Sequence, residues 1–92
     1  MQFYLVIPEA PLRDEELLNK PKSILLMGEI YTNPMTFTDG DTTSDEEFAM
    51  RLHCTPRAIQ KYLKLLENRG YIKRYKTYDD AGRIVGRRIV LN

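Results

Sequence analysis

The stretch Thr55-Pro56-Arg57-Ala58-Ile59-Gln60-Lys61-Tyr62-Leu63-Lys64-Leu65-Leu66-Glu67-Asn68-Arg69-Gly70 carries two periodicities at once. Ile59, Tyr62, Leu63 and Leu66 fall at i, i+3, i+4 and i+7, which puts four apolar side chains on one face of a helix. Arg57, Gln60, Lys61 and Lys64 repeat the same spacing as a basic and polar stripe on another face. Thr55 offers a hydroxyl to cap the first turn, and Pro56 stands at the first helical position, where a missing amide removes no hydrogen bond. Gly70 supplies the residue that leaves a helix in a left-handed conformation. The pattern predicts a helix from Pro56 to about Arg69.

Working upstream, Ser44 with Glu47 three residues later has the form of a capping box, so a helix begins there. Phe48, Ala49 and Leu52 turn one face of it inward, and His53-Cys54 makes a tight turn into the next helix. Two closely joined helices, the second capped by Thr-Pro and lined with Arg, Gln and Lys, match a helix-turn-helix recognition unit. Downstream, Tyr71 to Tyr78 and Arg83 to Leu91 are β-prone runs joined by Asp79-Asp80-Ala81-Gly82, which predicts a hairpin. A symmetric loop sets Arg74 opposite Arg87, and a glycine bulge at Gly82 sets it opposite Arg88. Either register places like charges across the ladder, a repulsion that a bound phosphate would relieve. Gly86, in mid-strand, marks a bulge or a close backbone approach. Tyr75 and Tyr78 are candidates to stack on sugars or, equally, to pack on the neighbouring strand.

The first part of the chain supplies the rest of the core. Phe3 to Ile7 is a short β-prone run ended by Pro8 and Pro11. A helix is expected from near Asn19 through Tyr31, apolar over a wide arc through Leu25, Leu26, Met27 and Ile30. Gly28 inside it weakens the helix by about 1 kcal/mol relative to Ala, and the expected reason for it is close helix–helix approach. Met35 to Thr38 suits one short strand, and Asp39-Gly40-Asp41 a turn. The expected architecture is α+β, a winged helix-turn-helix: a three-helix core, a C-terminal β-hairpin wing and a short N-terminal strand, in a single domain over residues 1–92.

Charge is distributed unevenly. Residues 1–50 carry 3 Lys and Arg against 10 Asp and Glu, a net of −7, while residues 51–92 carry 11 against 3, a net of +8. A whole-chain net of +1 conceals this split, which is the electrostatic footprint of a nucleic-acid-binding face. A hydrophobic content of 42% with 29% charged residues is that of a globular protein. No apolar run is long enough to span a bilayer, the N-terminus has no secretion signal, and a lone Cys54 makes no internal disulfide, so a cytoplasmic location is expected. His53 and Cys54 lack further ligands at metal-binding spacing, and no cofactor is expected. With a single histidine, a single cysteine and no phosphate-binding glycine loop, the usual catalytic constellations are missing and an enzyme is not expected.

Four short motifs narrow the expectation. Phe3-Tyr4-Leu5-Val6-Ile7-Pro8, Leu25-Leu26-Met27-Gly28-Glu29-Ile30, the Thr55-to-Gly70 helix running into Tyr71-Ile72, and Arg87-Arg88-Ile89 together resemble the N-terminal domain of phage replisome organisers. These are replication initiators related to DnaD-type proteins. The resemblance implies a winged helix that binds repeated sites at a replication origin and recruits helicase-loading machinery through a separate region. It places Arg57, Gln60 and Lys61 toward the major groove and Arg74, Arg87 and Arg88 on the wing. Met27 departs from the family, which has an aromatic residue there, and the chain reaches Asn92 directly after the wing. Either an excised domain or a stand-alone binder fits that ending, and host replication proteins would be met by a region this chain lacks.

The expected function is sequence-specific binding of double-stranded DNA. The candidate interface comprises Thr55, Arg57, Gln60, Lys61 and Lys64 on the recognition helix and Lys73, Arg74, Lys76, Arg83, Arg87 and Arg88 on the wing. Wing arginines and Lys64 suit phosphates, Arg57 a guanine edge and Gln60 an adenine edge. Transcriptional repression is the nearest alternative. A module for protein interaction or self-association is another, since the acidic runs Asp14-Glu15-Glu16 and Asp45-Glu46-Glu47 suit the basic half of a neighbour on repeated sites.

Overall fold

A computed structural model describes residues 4–92. Among them are five α-helices, α1 (Glu9–Leu12), α2 (Glu15–Leu18), α3 (Pro21–Thr32), α4 (Asp45–Leu52) and α5 (Pro56–Asn68). A 3-10 turn (Pro34–Phe37) follows α3, and a two-stranded antiparallel hairpin, β1 (Ile72–Tyr78) and β2 (Ile84–Leu91), closes the chain. The arrangement is α+β and compatible with a winged helix.

Local chemistry sets the helix ends. Ser44 Oγ accepts the Glu47 amide at 3.1 Å and Thr55 Oγ1 accepts the Ala58 amide at 3.1 Å, each satisfying a donor with no helical partner. The Glu47 carboxylate turns away to Arg51 rather than completing a capping box. α4 ends with His53 in the left-handed region at φ 55°, and Lys22 Nζ donates to the His53 carbonyl at 2.7 Å. α5 ends in a Schellman motif: the Tyr71 amide donates to the Leu66 carbonyl and the Gly70 amide to that of Glu67, with Gly70 at φ 83°.

The core lies where α3, α4, α5 and one face of the hairpin meet. Leu26 and Ile30 of α3, Phe48 of α4, Ile59, Leu63 and Leu66 of α5, and Ile72 and Ile89 of the hairpin are all buried. Leu25, expected on the buried arc, is instead 41% exposed, and Ile24 takes its place. α1 and α2 add Pro11 and Leu17 from the side, so the core has two small helices beyond the expected three.

Three expectations are corrected. No strand forms over residues 4–7 (Phe3 lies outside the described residues); the Val6 amide instead donates to Thr32 Oγ1 at 2.8 Å, laying this segment along α3. That contact, not a neighbouring helix, accounts for Gly28. A Cβ there would stand 2.7 Å from Leu5 Cδ2 and 2.9 Å from Ile7 Cγ1. The run Met35 to Thr38 is a 3-10 turn, because Pro34 and the Asn33 side chain, which accepts the Met35 amide at 3.0 Å, start a helical turn. The strand position it was expected to fill is reduced to Asp41, whose amide and carbonyl pair with those of Ile89 at 2.8 and 3.0 Å.

The hairpin register is also different. Arg74 pairs with Ile89, Tyr75 with Arg88 and Lys76 with Arg87. At the tip Tyr78 pairs with Ile84 but Thr77 with Gly86, so Val85 is the extra residue of a bulge beside Gly86. Without it the pairing would set Arg74 opposite Arg88 and turn Ile89 outward. One inserted residue brings Ile89 and Leu91 to the face that Ile72 buries, and burial of that face fixes the register.

Candidate nucleic-acid interface

α5 holds its outer stripe by burying the opposite one. Ile59, Leu63 and Leu66 are packed in the core, Tyr62 is half-buried, and Arg57, Gln60, Lys61 and Lys64 are exposed together. Thr55 is exposed, but its hydroxyl already caps the helix.

The basic residues divide into two groups. Arg74 places two nitrogens on the Glu67 carboxylate at 2.9 and 3.4 Å. Arg87 donates to Asp45 Oδ1 at 2.8 Å and stacks over the Phe48 ring, 5.8 Å from its centroid. Arg83 pairs with Asp79 at 2.9 Å within the turn, and Arg88 donates to the Asp39 carbonyl at 3.0 Å. All four wing arginines thus have partners inside the protein. Lys20, Arg57, Lys61, Lys64, Lys73 and Lys76, by contrast, make no ion pair or side-chain hydrogen bond among the described residues. Gln60 is intermediate, with a long 3.4 Å contact from its amide to Asp45 Oδ2.

Electrostatics follow from these pairings. Arg74 holds the Glu67 carboxyl below its ordinary value, chiefly by direct hydrogen bonding. At the same C-terminal end of α5, Asp14 accepts the Tyr71 hydroxyl at 2.7 Å, Arg69 Nε at 2.9 Å and the Glu16 amide at 2.9 Å. Tyr71 foremost, then Arg69, lowers the Asp14 pKa, and the same hydrogen bond raises that of Tyr71. This clasp ties the α1–α2 corner to the start of the hairpin.

Sequence reasoning identified the α5 stripe and the exposed lysines of β1. It missed Lys20, whose position just before Pro21 carried no signal of its own. It also missed Asp45 and Glu67 as arginine acceptors. The Asp45–Arg87 pair spans 42 residues, beyond any local pattern. Glu67 lies only seven residues from Arg74, but their meeting depends on the path of the chain through Gly70. No cluster of His, Cys, Asp and Glu able to hold a metal ion occurs among the described residues, and no helix there is long and apolar enough to cross a membrane.

Comparison with known proteins gives no matching family model, no matching curated protein and no matching solved structure.

Proposed function

We propose that this protein binds double-stranded DNA sequence-specifically as a winged helix, with α4, the 53–55 turn and α5 as a helix-turn-helix and β1–β2 as the wing. The observation that carries this reading is the sorting of cations. Among the described residues the exposed stripe of α5 and the strand β1 keep Arg57, Lys61, Lys64, Lys73 and Lys76 unpaired, while Arg74, Arg83 and Arg87 are ion-paired within the protein and Arg88 is engaged by a backbone carbonyl. Unpaired cations along one face of an exposed helix, with Lys73 and Lys76 on opposite faces of the strand that follows it, suit a duplex, which presents phosphates on both sides of its major groove.

In this mechanism Arg57 and Gln60 approach base edges, Lys61 and Lys64 take phosphates along the groove, and Lys73 and Lys76 extend the backbone contact. Arg74, Arg87 and Arg88 act indirectly by fixing the wing against α5, α4 and the 39–41 segment. The likeness of the four quoted motifs to phage replisome organisers favours an origin of phage or plasmid type as the target. The exposed Glu15 and Glu16 offer an acidic contact for a neighbouring copy on repeated sites.

Selection of bound sequences from a random duplex pool tests the reading, with one enriched motif expected and no enrichment overturning it. On the selected site Arg57→Ala costs about 1–3 kcal/mol and relaxes discrimination at one base position. Lys64→Ala lowers affinity evenly across sequences and reduces the slope of log affinity against log salt by about one unit. Competition with single-base variants of the site measures both. An unchanged base preference in Arg57→Ala would remove α5 as the reading element.

A further inference from the structure

Grooves on the described surface differ in charge. The one between α4 and the wing balances Asp45 and Glu46 against Arg87 and Arg88. Another sets Glu67 among Arg74, Lys76 and Arg87, and a third sets Asp14, Glu15 and Glu16 against Arg13 and Arg69. That beneath Tyr71 has no charged side chain. One further groove gathers cations with no carboxylate in its lining. Between the start of α3 and the flank of α5, a space of about 360 Å³ is lined by Lys20, Arg57 and Lys61 without a carboxylate, and by Thr55, Ala58, Tyr62 and Leu65.

Three cations gathered without a counter-charge repel one another, and an anion among them relieves the strain. The apolar part of the lining constrains which anion. A duplex keeps the flat faces of its bases stacked inside and offers only base edges, sugar and phosphate. A single strand offers phosphates together with an unstacked base, whose flat face suits an aromatic and aliphatic surface. A free inorganic anion would leave Tyr62 and Leu65 unused.

We propose that this groove holds one or two nucleotides of single-stranded DNA, with phosphates on Lys20, Arg57 and Lys61 and one base against Tyr62 and Leu65. The site goes beyond duplex recognition and does not depend on it. It shares Arg57 and Lys61 with the exposed stripe of α5, so single strand and duplex exclude each other there. Lys20 belongs to the groove alone. Its carbonyl accepts the Ser23 amide at 2.8 Å and the Ser23 hydroxyl at 2.6 Å, which anchors the start of α3, while its side chain makes no hydrogen bond or ion pair among the described residues. It can be replaced without disturbing the helix.

The test is fluorescence anisotropy of the full chain with a labelled oligothymidylate of about 12 nucleotides, alongside a hairpin duplex. Saturable binding of the single strand is expected. Lys20→Ala weakens it about tenfold, as loss of a charged contact should, while duplex affinity changes less than about twofold. Tyr62→Leu weakens it about tenfold through lost stacking. Thermal melts report whether each variant folds. A 5-iodouracil oligonucleotide crosslinked to Tyr62 in the wild-type protein keeps the test independent of that second substitution. No saturable single-strand binding would overturn the proposal. So would equal losses for both DNA forms in Lys20→Ala, which would make the groove an edge of the duplex footprint. Displacement by thymidine monophosphate at matched nucleotide concentration would assign the groove to free nucleotides, and displacement by polyglutamate to an acidic protein segment.

Discussion

Arg74 carries opposite roles in sequence and in structure. As one of the basic residues of the hairpin it suits a phosphate, but here it lies half-buried on Glu67, with an isoleucine rather than an arginine across the ladder. Arg74→Ala therefore leaves duplex affinity nearly unchanged and lowers stability by about 0.5–1 kcal/mol, the range for a partly exposed ion pair. Thermal melts beside binding titrations decide the matter, since a large affinity loss at constant stability would return Arg74 to the interface. Asp14 makes a prediction about pH. Its carboxyl is held below the ordinary 3.8, first by the Tyr71 hydroxyl, and that hydroxyl is held above the ordinary 10.0 by Asp14. The contribution of Asp14 is present above its unfolded value and lost as pH falls through its lowered folded value. That of Tyr71 is present below 10.0 and lost as pH rises through its raised one. The melting deficit of Asp14→Ala relative to wild type should be full from about pH 5 to about pH 9 and shrink on either side. A deficit independent of pH would show that the clasp acts through packing alone.

Among the elements, α3 is decided by a residue that lacks a side chain. Gly28→Ala adds helix propensity of about 1 kcal/mol, but it drives a methyl into Leu5 and Ile7 and lifts the 4–7 segment from the helix. Expected outcomes are a lower melting temperature, unchanged helical circular dichroism and faster proteolysis before Pro8. Increased stability would mean that the segment yields without loss. The elements that a linear reading finds are those whose signals are local. Ser44, Thr55, Pro56 and Gly70 each act within a turn of their own position, so α4 and α5 begin and end where expected. α1 and α2, at four residues each, are too short to develop a period. Whether Met35 to Thr38 would be strand or turn depended on Asn33 and Pro34 outside it. The Val85 bulge depends on the demand that Ile89 share a face with Ile72, a tertiary constraint, although the alternation of Arg87, Ile89 and Leu91 carried a trace of it. For the same reason the α5 stripe was legible while the fate of the wing arginines was not. A side chain's own position predicts its exposure better than its partner.

At the level of the whole molecule, the +8 of residues 51–92 overstates the charge offered to a ligand. Five of its cations, Arg57, Lys61, Lys64, Lys73 and Lys76, are unpaired among the described residues, which bounds the slope of log duplex affinity against log salt at about −4.5. Engagement of all eleven cations in that half would instead give about −10. A titration over a fourfold range of salt separates the two outcomes, and the steeper slope would mean that bound DNA opens the internal pairs. The pairs also bear on what association costs. Glu67 and Asp45 fasten one face of the hairpin to α5 and α4, and Asp41 fastens its edge. A wing riveted at three places has given up, during folding, the conformational entropy that a loose wing would surrender to its ligand. On the proposed reading the Glu67 and Asp45 carboxylates act as preorganisation: they withhold arginines from the phosphates, and in return the remaining lysines arrive already aimed.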